Sequence, residues 1–266
     1  MTADVRELVL HRELLRTFVV RDLRGRYKGS ALGIVWSLAT PLLMVAVYTV
    51  AFSVVLRIGS GDRDHSGYAV SLMAAFLPWT FLSTSVQFGA TSLLANAGLI
   101  SKVYFPREVL PLSLTSANLV NMGLAFAFLV PFAAWTVGLD ALALLAAIPV
   151  TVGLYLFVVG LVLLASILTV FFRDLEFLLT IGLTAWFFLT PVVYEASFYG
   201  NAPDWVGDVL RFNPAYPFVE AYRDIFYRVE PPSLVRVAVC LAVGVVTCLA
   251  SYALFNRLKR NIAEEL

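Results

Sequence analysis

The sequence predicts an all-α integral membrane protein with six transmembrane helices. Composition, uncharged windows and the placement of basic residues each support this fold class. Of the 266 residues, 60% are hydrophobic and only 14% are charged, and the mean hydropathy is +0.85. A soluble domain carries about 25% charged residues. A chain this apolar has too little polar surface to cover a globule in water, so most of its surface must contact lipid.

Six windows of the sequence contain no Asp, Glu, Lys, Arg or His. Each is a candidate span, because a charge at mid-membrane costs about 2.5–3.5 kcal/mol on insertion scales. The windows are 29–56, 66–101, 109–139, 141–172, 177–194 and 237–256. A helix needs about 20 residues to cross the hydrocarbon core, within a range of about 17–25. The fifth window is marginal in length. The second is longer than one span, and the turn signal at 96–98 places the end of that span near Leu94.

Lys and Arg are concentrated on one side of this arrangement. The segments that would face the same side as the N-terminus are 1–28, 94–110, 171–176 and 257–266, and they hold 13 of the 19 basic residues. The segments on the other side are 57–65, 138–142 and 195–236, and they hold the remaining 6. Cytoplasmic loops carry such an excess of Lys and Arg. Both termini are therefore predicted to lie in the cytoplasm.

Residues 1–28 form the first predicted domain, a cytoplasmic amphipathic interface helix with a basic segment. Within 5–24 the apolar residues fall on one broad face, although Arg12 and Arg16 interrupt it. Long Arg side chains can extend to lipid headgroups, so a helix lying on the membrane surface is compatible with them. The alternative is a basic tail that only sets orientation. The second predicted domain, 29–266, is the transmembrane domain.

The stretch 94–110, called here the inner loop, is short and polar. Its distinctive residues are Lys102, Tyr104, Phe105, Pro106, Arg107 and Glu108. A rigid proline beside exposed aromatic rings and charges of both signs is typical of a docking surface for a soluble partner. The alternative is an ordinary connecting turn with a basic anchor.

The stretch 195–236, called here the outer segment, is too aromatic for a solvated loop and too charged to span. We expect a pair of short re-entrant helices, since irregular backbone at membrane depth needs cover from protein or a water-filled cavity. Such helices predict a gate over a pathway, with aromatic faces that could stack on sugar rings. The alternative is an interfacial aromatic belt that binds no ligand.

The inventory of reactive groups argues against enzyme function. Ion-driven transporters need ionisable residues within their spans, and the six windows contain none. The two histidines, His11 and His65, fall on opposite sides of the membrane, so neither a metal centre nor a catalytic triad is predicted. A net charge of +1 gives no indication of a nucleic-acid partner. A selective ion channel is a further alternative from the sequence, although no ring-forming acidic position or K⁺-type filter is visible in it.

The energy source for transport is also missing from this sequence. The phosphate-loop pattern G-x-x-x-x-G-K-[ST] does not occur in it. We therefore expect no cofactor in this chain. Uphill transport would need energy from another subunit, and the inner loop is where that subunit would act.

Three stretches resemble one known family. Residues 26–36, Arg-Tyr-Lys-Gly-Ser-Ala-Leu-Gly-Ile-Val-Trp, run on to Thr40-Pro41-Leu42 and resemble the R-Y-K-x-S-x-L-G-x-x-W…P-L signature of polysaccharide-exporting ABC transporter permeases. Phe-Pro-Arg-Glu-Val-Leu-Pro at 105–111 and Asn-Pro-Ala-Tyr-Pro-Phe-Val-Glu-Ala-Tyr-Arg at 213–223 resemble the same family. Members export O-antigen, teichoic acid, capsule or galactan chains. The resemblance covers essentially the whole chain.

The resemblance implies a homodimer in the cytoplasmic membrane of a bacterium. Each copy would bind one ATP-hydrolysing subunit, which holds the ATP and Mg²⁺. The dimer would enclose a channel for a glycan attached to polyprenyl pyrophosphate.

The resemblance also implies roles for particular residues. Coupling to the ATPase would use Lys102, Tyr104, Phe105, Pro106, Arg107 and Glu108. The lipid pyrophosphate would be received by Arg24, Arg26, Tyr27, Lys28, Gly29 and Gly33. Aromatic residues lining the glycan path would be Tyr48, Phe52, Trp79 and Phe81. The outer gate would use Tyr194, Asn213, Pro214, Tyr216, Pro217, Glu220, Tyr222 and Arg223.

Two alternatives remain open from the sequence. The first keeps the ABC permease architecture but exports a drug, a small lipid or haem, which would not need sugar-stacking aromatic faces. The second is a membrane enzyme or acyl-chain transferase, which would need a nucleophile or metal set that the sequence does not show.

Overall fold

The computed structural model describes residues 12–27, 35–55, 65–103, 105–194, 210 and 212–259. The regular structure in these ranges is helical. In chain order the helices are α1 (Arg12–Tyr27), α2 (Val35–Tyr48, continued by a π-helix Thr49–Val55), α3 (His65–Ala90), α4 (Ser92–Ala95), α5 (Ala97–Ile100), α6 (Val109–Thr136), α7 (Ala141–Phe171), α8 (Leu175–Leu189), α9 (Tyr216–Arg223, continued by a π-helix Asp224–Arg228) and α10 (Leu234–Leu258).

Within the described residues, four helices are long and apolar enough to cross a membrane. They are α3, α6, α7 and α10, which contain 26, 28, 31 and 25 residues. The prediction of an all-α integral membrane protein is thereby confirmed. Helices α2 and α8 occupy the first and fifth predicted windows and are also apolar. The 15 residues of α8 fall short of the range of about 17–25 that a span requires, whereas the described part of α2 and its π-helical continuation run without a break from Val35 to Val55.

Local chemistry decides where α3 and α8 end. Helix α3 ends at Ala90, short of the predicted span end near Leu94, and α4 (Ser92–Ala95) follows after the single residue Thr91. The Ser92 hydroxyl donates to the Gly89 carbonyl at 2.6 Å, and such side-chain bonds compete with the helical ladder. Helix α8 ends at Leu189 because Pro191 forces the residue before it, Thr190, into an extended conformation (φ −101°, ψ 132°).

Helices α7 and α10 pack closely through glycines. A Cβ atom on Gly160 would lie 2.8 Å from the Thr247 carbonyl oxygen, and one on Gly153 would lie 2.8 Å from the Cys240 carbonyl oxygen. Small residues let the backbones of membrane helices approach in this way. The cysteines of α10, Cys240 and Cys248, are free thiols.

Two hydrophobic cores form around helices α7 and α10. The larger core joins α3, α6 and α7 to α9. The smaller core, at the predicted cytoplasmic end, collects α1, the inner loop and the ends of α7 and α10; its buried residues are Phe18, Leu93, Phe105, Val109, Leu110, Val159, Leu163, Ile167, Val170 and Phe255. The inner loop is therefore packed against both ends of the described chain.

Helices α2 and α8 lie beside α3 and bury little of their own surface. Leu43 and Val47 of α2 are 59% and 60% exposed, and Ile181 of α8 is 69% exposed. Leu183 is the one described residue of α8 that is buried. The outward faces of both helices are thus open to lipid or to another chain.

Candidate functional site

A groove runs along α3 between α2 and α8, with a volume of about 620 Å³. Its polar lining residues are Thr80, Ser83, Thr84, Gln87, Thr180 and Thr184. Its aromatic lining residues are Tyr48, Phe76, Trp79, Phe88, Phe187 and Phe188. The groove is therefore lined by polar and aromatic side chains, and none of its lining residues is charged.

The threonines of the groove present hydrogen-bond acceptors. Thr84 donates its hydroxyl to the Thr80 carbonyl at 2.6 Å, and Thr184 donates to the Thr180 carbonyl at 2.8 Å. A hydroxyl has one proton to donate and two lone pairs. Because the proton is used within the helix, the lone pairs are left for a ligand. Gln87 Nε2 donates to Thr180 Oγ1 at 2.9 Å and joins α3 to α8 across the floor of the groove.

The structure separates the four aromatic residues predicted for the glycan path. Tyr48 and Trp79 line the groove. Phe52 packs on Tyr48 with ring centroids 6.1 Å apart. Phe81 is buried and lines a second cavity of about 360 Å³ between α2, α3 and α6. The rings of the groove contact one another, since Trp79 and Phe187 have centroids 5.7 Å apart.

Sequence reasoning missed the polar lining of the groove. A detectable signal was present, because Thr80, Ser83, Thr84 and Gln87 follow the i, i+3, i+4, i+7 spacing of one helix face. On α8, Thr180 and Thr184 have the same i, i+4 spacing. A polar stripe on an uncharged span predicts a lined path rather than a lipid contact.

The inner loop is packed inward more than the sequence suggests. Phe105 is buried, with its ring centroid 6.1 Å from that of Phe18 on α1. The prediction of an exposed aromatic surface is wrong for this residue. Lys102 and Val103 are exposed, and Pro106 is half-buried. Tyr104 lies outside the described residues.

Two charged residues of the inner loop bind the end of the last span. Glu108 is buried and accepts a hydrogen bond from Lys259 Nζ at 2.9 Å. Arg107 Nη1 donates to the Lys259 carbonyl oxygen at 2.5 Å. Arg107 and Glu108 were predicted to contact an ATPase, and in this chain both contact Lys259.

The predicted receiving site for a lipid pyrophosphate is described only in part. Arg24 is exposed on α1. The structure describes the backbone of Arg26 and Tyr27 as the end of α1, but not their side chains. Lys28, Gly29 and Gly33 lie outside the described residues. The basic end of α1 is thus open to solvent or headgroups at Arg24.

The outer segment is described at residue 210 and from 212 onward. Its helix α9 is largely buried against the rest of the chain. The rings of Phe218, Tyr222 and Phe226 are covered by protein, since Phe126 stacks on Tyr222 and on Phe226 with centroids 5.3 Å apart. The expectation that aromatic faces here are open to sugar rings is not met for these three residues. Tyr216 and Pro217 are half-buried, and Pro214 is exposed.

A buried amide connects the outer segment to α8. Asn213 Oδ1 accepts from Trp186 Nε1 at 2.8 Å and from the Ala215 amide at 3.0 Å. Asn213 Nδ2 donates to Thr190 Oγ1 at 2.8 Å. Tyr194 donates its hydroxyl to the Phe188 carbonyl near the same end of α8. These bonds hold the end of α8 against the start of α9.

A network of five charged residues surrounds α9. Arg223 is 1% exposed and donates to Glu220 at 3.2 Å and to the Val192 carbonyl at 2.8 Å. Arg228 bridges Glu220 at 2.9 Å and Asp224 at 2.5 Å. Asp224 also binds Arg236 at the start of α10. The network therefore ties α9 to the last span and to the residues that follow α8.

The network keeps Glu220 ionised. Burial alone would raise the pKa of the Glu220 carboxyl, but the charges and hydrogen bonds of Arg223 and Arg228 outweigh burial and lower the pKa below its usual value. Burial and the nearby Glu220 charge raise the pKa of the Tyr216 hydroxyl. Among the described residues, no three His, Cys, Asp or Glu side chains are placed to hold a metal ion.

Comparison with known proteins gives the family. Residues 13–227 match the family model described as ABC-2 type transporter. The chain is 32% identical over 267 residues to the O-antigen export system permease protein of Myxococcus xanthus, with 98% of each chain covered. It is 30% identical over 259 residues to a protein of the same name from Klebsiella pneumoniae, with 96% of this chain and 95% of the relative covered. With the apolar helices described above, these matches show that the chain is a multi-pass membrane subunit of the ABC-2 type transporter family.

Proposed function

We propose that this chain is the membrane-spanning permease of an ATP-driven exporter that moves a polyprenyl-pyrophosphate-linked polysaccharide across the cytoplasmic membrane of a bacterium. The observation that carries the proposal is the uncharged groove on α3. The names of the relatives, which are O-antigen export permeases, agree with it.

The chemistry of the groove suits a sugar chain. Sugars carry many hydroxyl donors, and the threonine lone pairs at Thr80, Thr84 and Thr184 supply acceptors. Aromatic rings such as Tyr48 and Trp79 supply flat apolar faces for the C–H side of a sugar ring. Uncharged acceptors and rings bind a neutral polymer weakly at many points, so that it can move along.

The same groove supports a homodimer. It is lined on three sides by α2, α3 and α8, and the outward faces of α2 and α8 are exposed. A second copy placed against these faces would complete the wall of the path. In this proposal all six apolar helices cross the bilayer in the dimer, with both termini in the cytoplasm and the outer segment forming the outer gate.

The energy source in this proposal is a separate ATP-binding subunit. Each copy of the chain would bind one such subunit through the inner loop, where Lys102 and Val103 are exposed. Residues 24–33 would receive the pyrophosphate headgroup at the inner surface, because Arg and Lys pair strongly with phosphate oxygens.

The experiment is depletion of the protein in its native cell, followed by measurement of surface glycan and of polyprenyl-linked glycan inside the cell. We expect surface glycan to fall and lipid-linked glycan to accumulate, and re-expression of the wild-type chain to reverse both changes. Normal surface glycan after complete loss of the chain would overturn the proposal.

A further inference from the structure

We propose that α10 is a transmission rod that connects the inner loop to the outer segment. The ion pair Glu108–Lys259 fixes its inner end, and the ion pair Asp224–Arg236 fixes its outer end. The role rests on the proposed function, because it assumes that an ATP-binding subunit acts on the inner loop.

The inner attachment is strong for three reasons. Glu108 is 3% exposed, so its carboxylate needs a partner, and Lys259 Nζ lies 2.9 Å away. Arg107 donates to the Lys259 carbonyl, which adds a second hydrogen bond between the inner loop and the end of α10. The Lys259 amide in turn bonds the Phe255 carbonyl at 2.8 Å, and Phe255 is fully buried in the smaller core.

The rod itself is held rigidly. Gly244 of α10 and Gly153 of α7 lie backbone to backbone, and α7 has a further close contact at Gly160. Helix α10 is a regular α-helix of 25 residues from Leu234 to Leu258. A displacement of its inner end must therefore move the pair of helices together rather than bend α10 alone.

The outer attachment links the rod to α9. Arg236 lies in the first turn of α10 and binds Asp224, which follows α9 directly. Asp224 also binds Arg228, which binds Glu220, so the pair belongs to the buried network. The same helix thus carries one ion pair to the inner loop and another to the predicted gate.

The test uses the full complex of the chain with its ATP-binding subunit in lipid vesicles. We expect Glu108→Gln to lower the glycan exported per ATP hydrolysed by about fivefold or more, as for other coupling between distant sites. Lys259→Met breaks the same link and serves where Glu108→Gln does not assemble. The charge swap Glu108→Lys with Lys259→Glu should restore most of the glycan exported per ATP hydrolysed. The control is Arg257→Met, which removes an exposed charge from the same helix end.

A double-mutant cycle separates a rod from two independent contacts. Arg236→Met should also lower the export ratio, and the double variant Glu108→Gln with Arg236→Met should be no lower than the worse single variant. An unchanged ratio in Glu108→Gln, or losses that multiply in the double variant, would overturn the proposal.

A second readout does not depend on the cargo. Phe212 is 87% exposed next to α9, so Phe212→Cys can be labelled with an impermeant maleimide. We expect the labelling rate to change with ATP in the otherwise wild-type complex and to lose that change when Glu108→Gln is added. If the labelling rate still changes with ATP in the Glu108→Gln variant, the proposal that α10 connects the inner loop to the outer segment is wrong. A wild-type complex that shows the response but exports no polysaccharide would contradict the proposed cargo alone.

Discussion

Gly153 and Gly244 face each other across α7 and α10 so closely that a Cβ on Gly244 would lie 2.2 Å from the Gly153 carbonyl oxygen. Real Cβ atoms do not approach backbone at that distance. The two helices therefore owe their contact to the absence of side chains at this point, as is common for membrane helices.

The Gly153–Gly244 contact predicts that Gly244→Ala destabilises the protein by about 1–3 kcal/mol, the usual cost of overpacking. The measurement is thermal unfolding in mild detergent, followed by size-exclusion chromatography. The matched control is Gly123→Ala in α6, where a Cβ would meet no atom within 4 Å. Equal melting temperatures for the two variants would contradict the close packing of α7 and α10.

The acceptors of the groove predict that Thr84→Val and Thr184→Val slow export while ATP hydrolysis continues. The change conserves shape and removes one hydrogen-bonding group worth about 0.5–1.5 kcal/mol, so each variant should export about twofold to tenfold more slowly. The measurement is the export rate in vesicles at saturating ATP.

Thr136→Val is the control for the groove threonines. Thr136 also donates to a backbone carbonyl, that of Phe132 at 2.8 Å, but it does not line the groove. If all three variants export at the wild-type rate, the groove is not the glycan path. A loss in Thr136→Val as large as in the other two would show that the hydroxyls act through helix structure instead.

The lowered pKa of Glu220 predicts how stability depends on pH. A carboxyl whose pKa is lower in the folded state stabilises the fold above its unfolded pKa of about 4.3, and that contribution is lost as pH falls through the folded pKa. Glu220→Gln breaks a buried pair and should cost about 3–5 kcal/mol.

The measurement for Glu220 is the melting temperature of the wild type and of Glu220→Gln across a pH series. The difference between them should stay constant from about pH 8 to pH 5 and shrink below about pH 4, as the wild-type carboxyl takes up a proton. A difference that already shrinks near pH 6 would mean that the arginines do not lower the pKa of Glu220.

Different residues of the inner loop are expected to serve binding of the ATP-binding subunit and stability of the chain. Lys102 is exposed, whereas Phe105 is buried against Phe18. Lys102→Glu should weaken co-purification of the ATP-binding subunit without changing the melting temperature of the isolated chain. Phe105→Ala should lower that melting temperature, because removing a buried Phe costs about 3–5 kcal/mol. The reverse pattern would contradict the assignment of Lys102 to the docking surface.

Much of the helical architecture could be predicted, because spans are encoded locally. The uncharged windows at 109–139 and 141–172 contain α6 and α7, and the break between them coincides with Asp140, whose carboxylate caps α7 by accepting from the Ala143 amide at 2.8 Å. The end of α3 at Ala90 could not be predicted from hydropathy, since the residues that follow are equally uncharged.

The candidate site was predicted less well. Tyr48 and Trp79, which are predicted for the glycan path, line the groove, but the threonines beside them were missed although their helical spacing is visible in the sequence. Phe105 is predicted for the docking surface and Tyr222 for the outer gate, and both rings are buried within the chain. Whether an aromatic ring is free or covered depends on neighbours far away in sequence.

The amino-acid sequence alone predicts that the chain enters a membrane and which family it belongs to, because apolarity, helix caps and family motifs are properties of short stretches. The pairing of Glu108 with Lys259, 151 residues later, and the pairing of Asp224 with Arg236 are visible only in the folded chain. Apolar helices without a distinct polar face do not specify which neighbour each side contacts. Close backbone packing at glycines and the cost of leaving a buried charge unpaired make that selection.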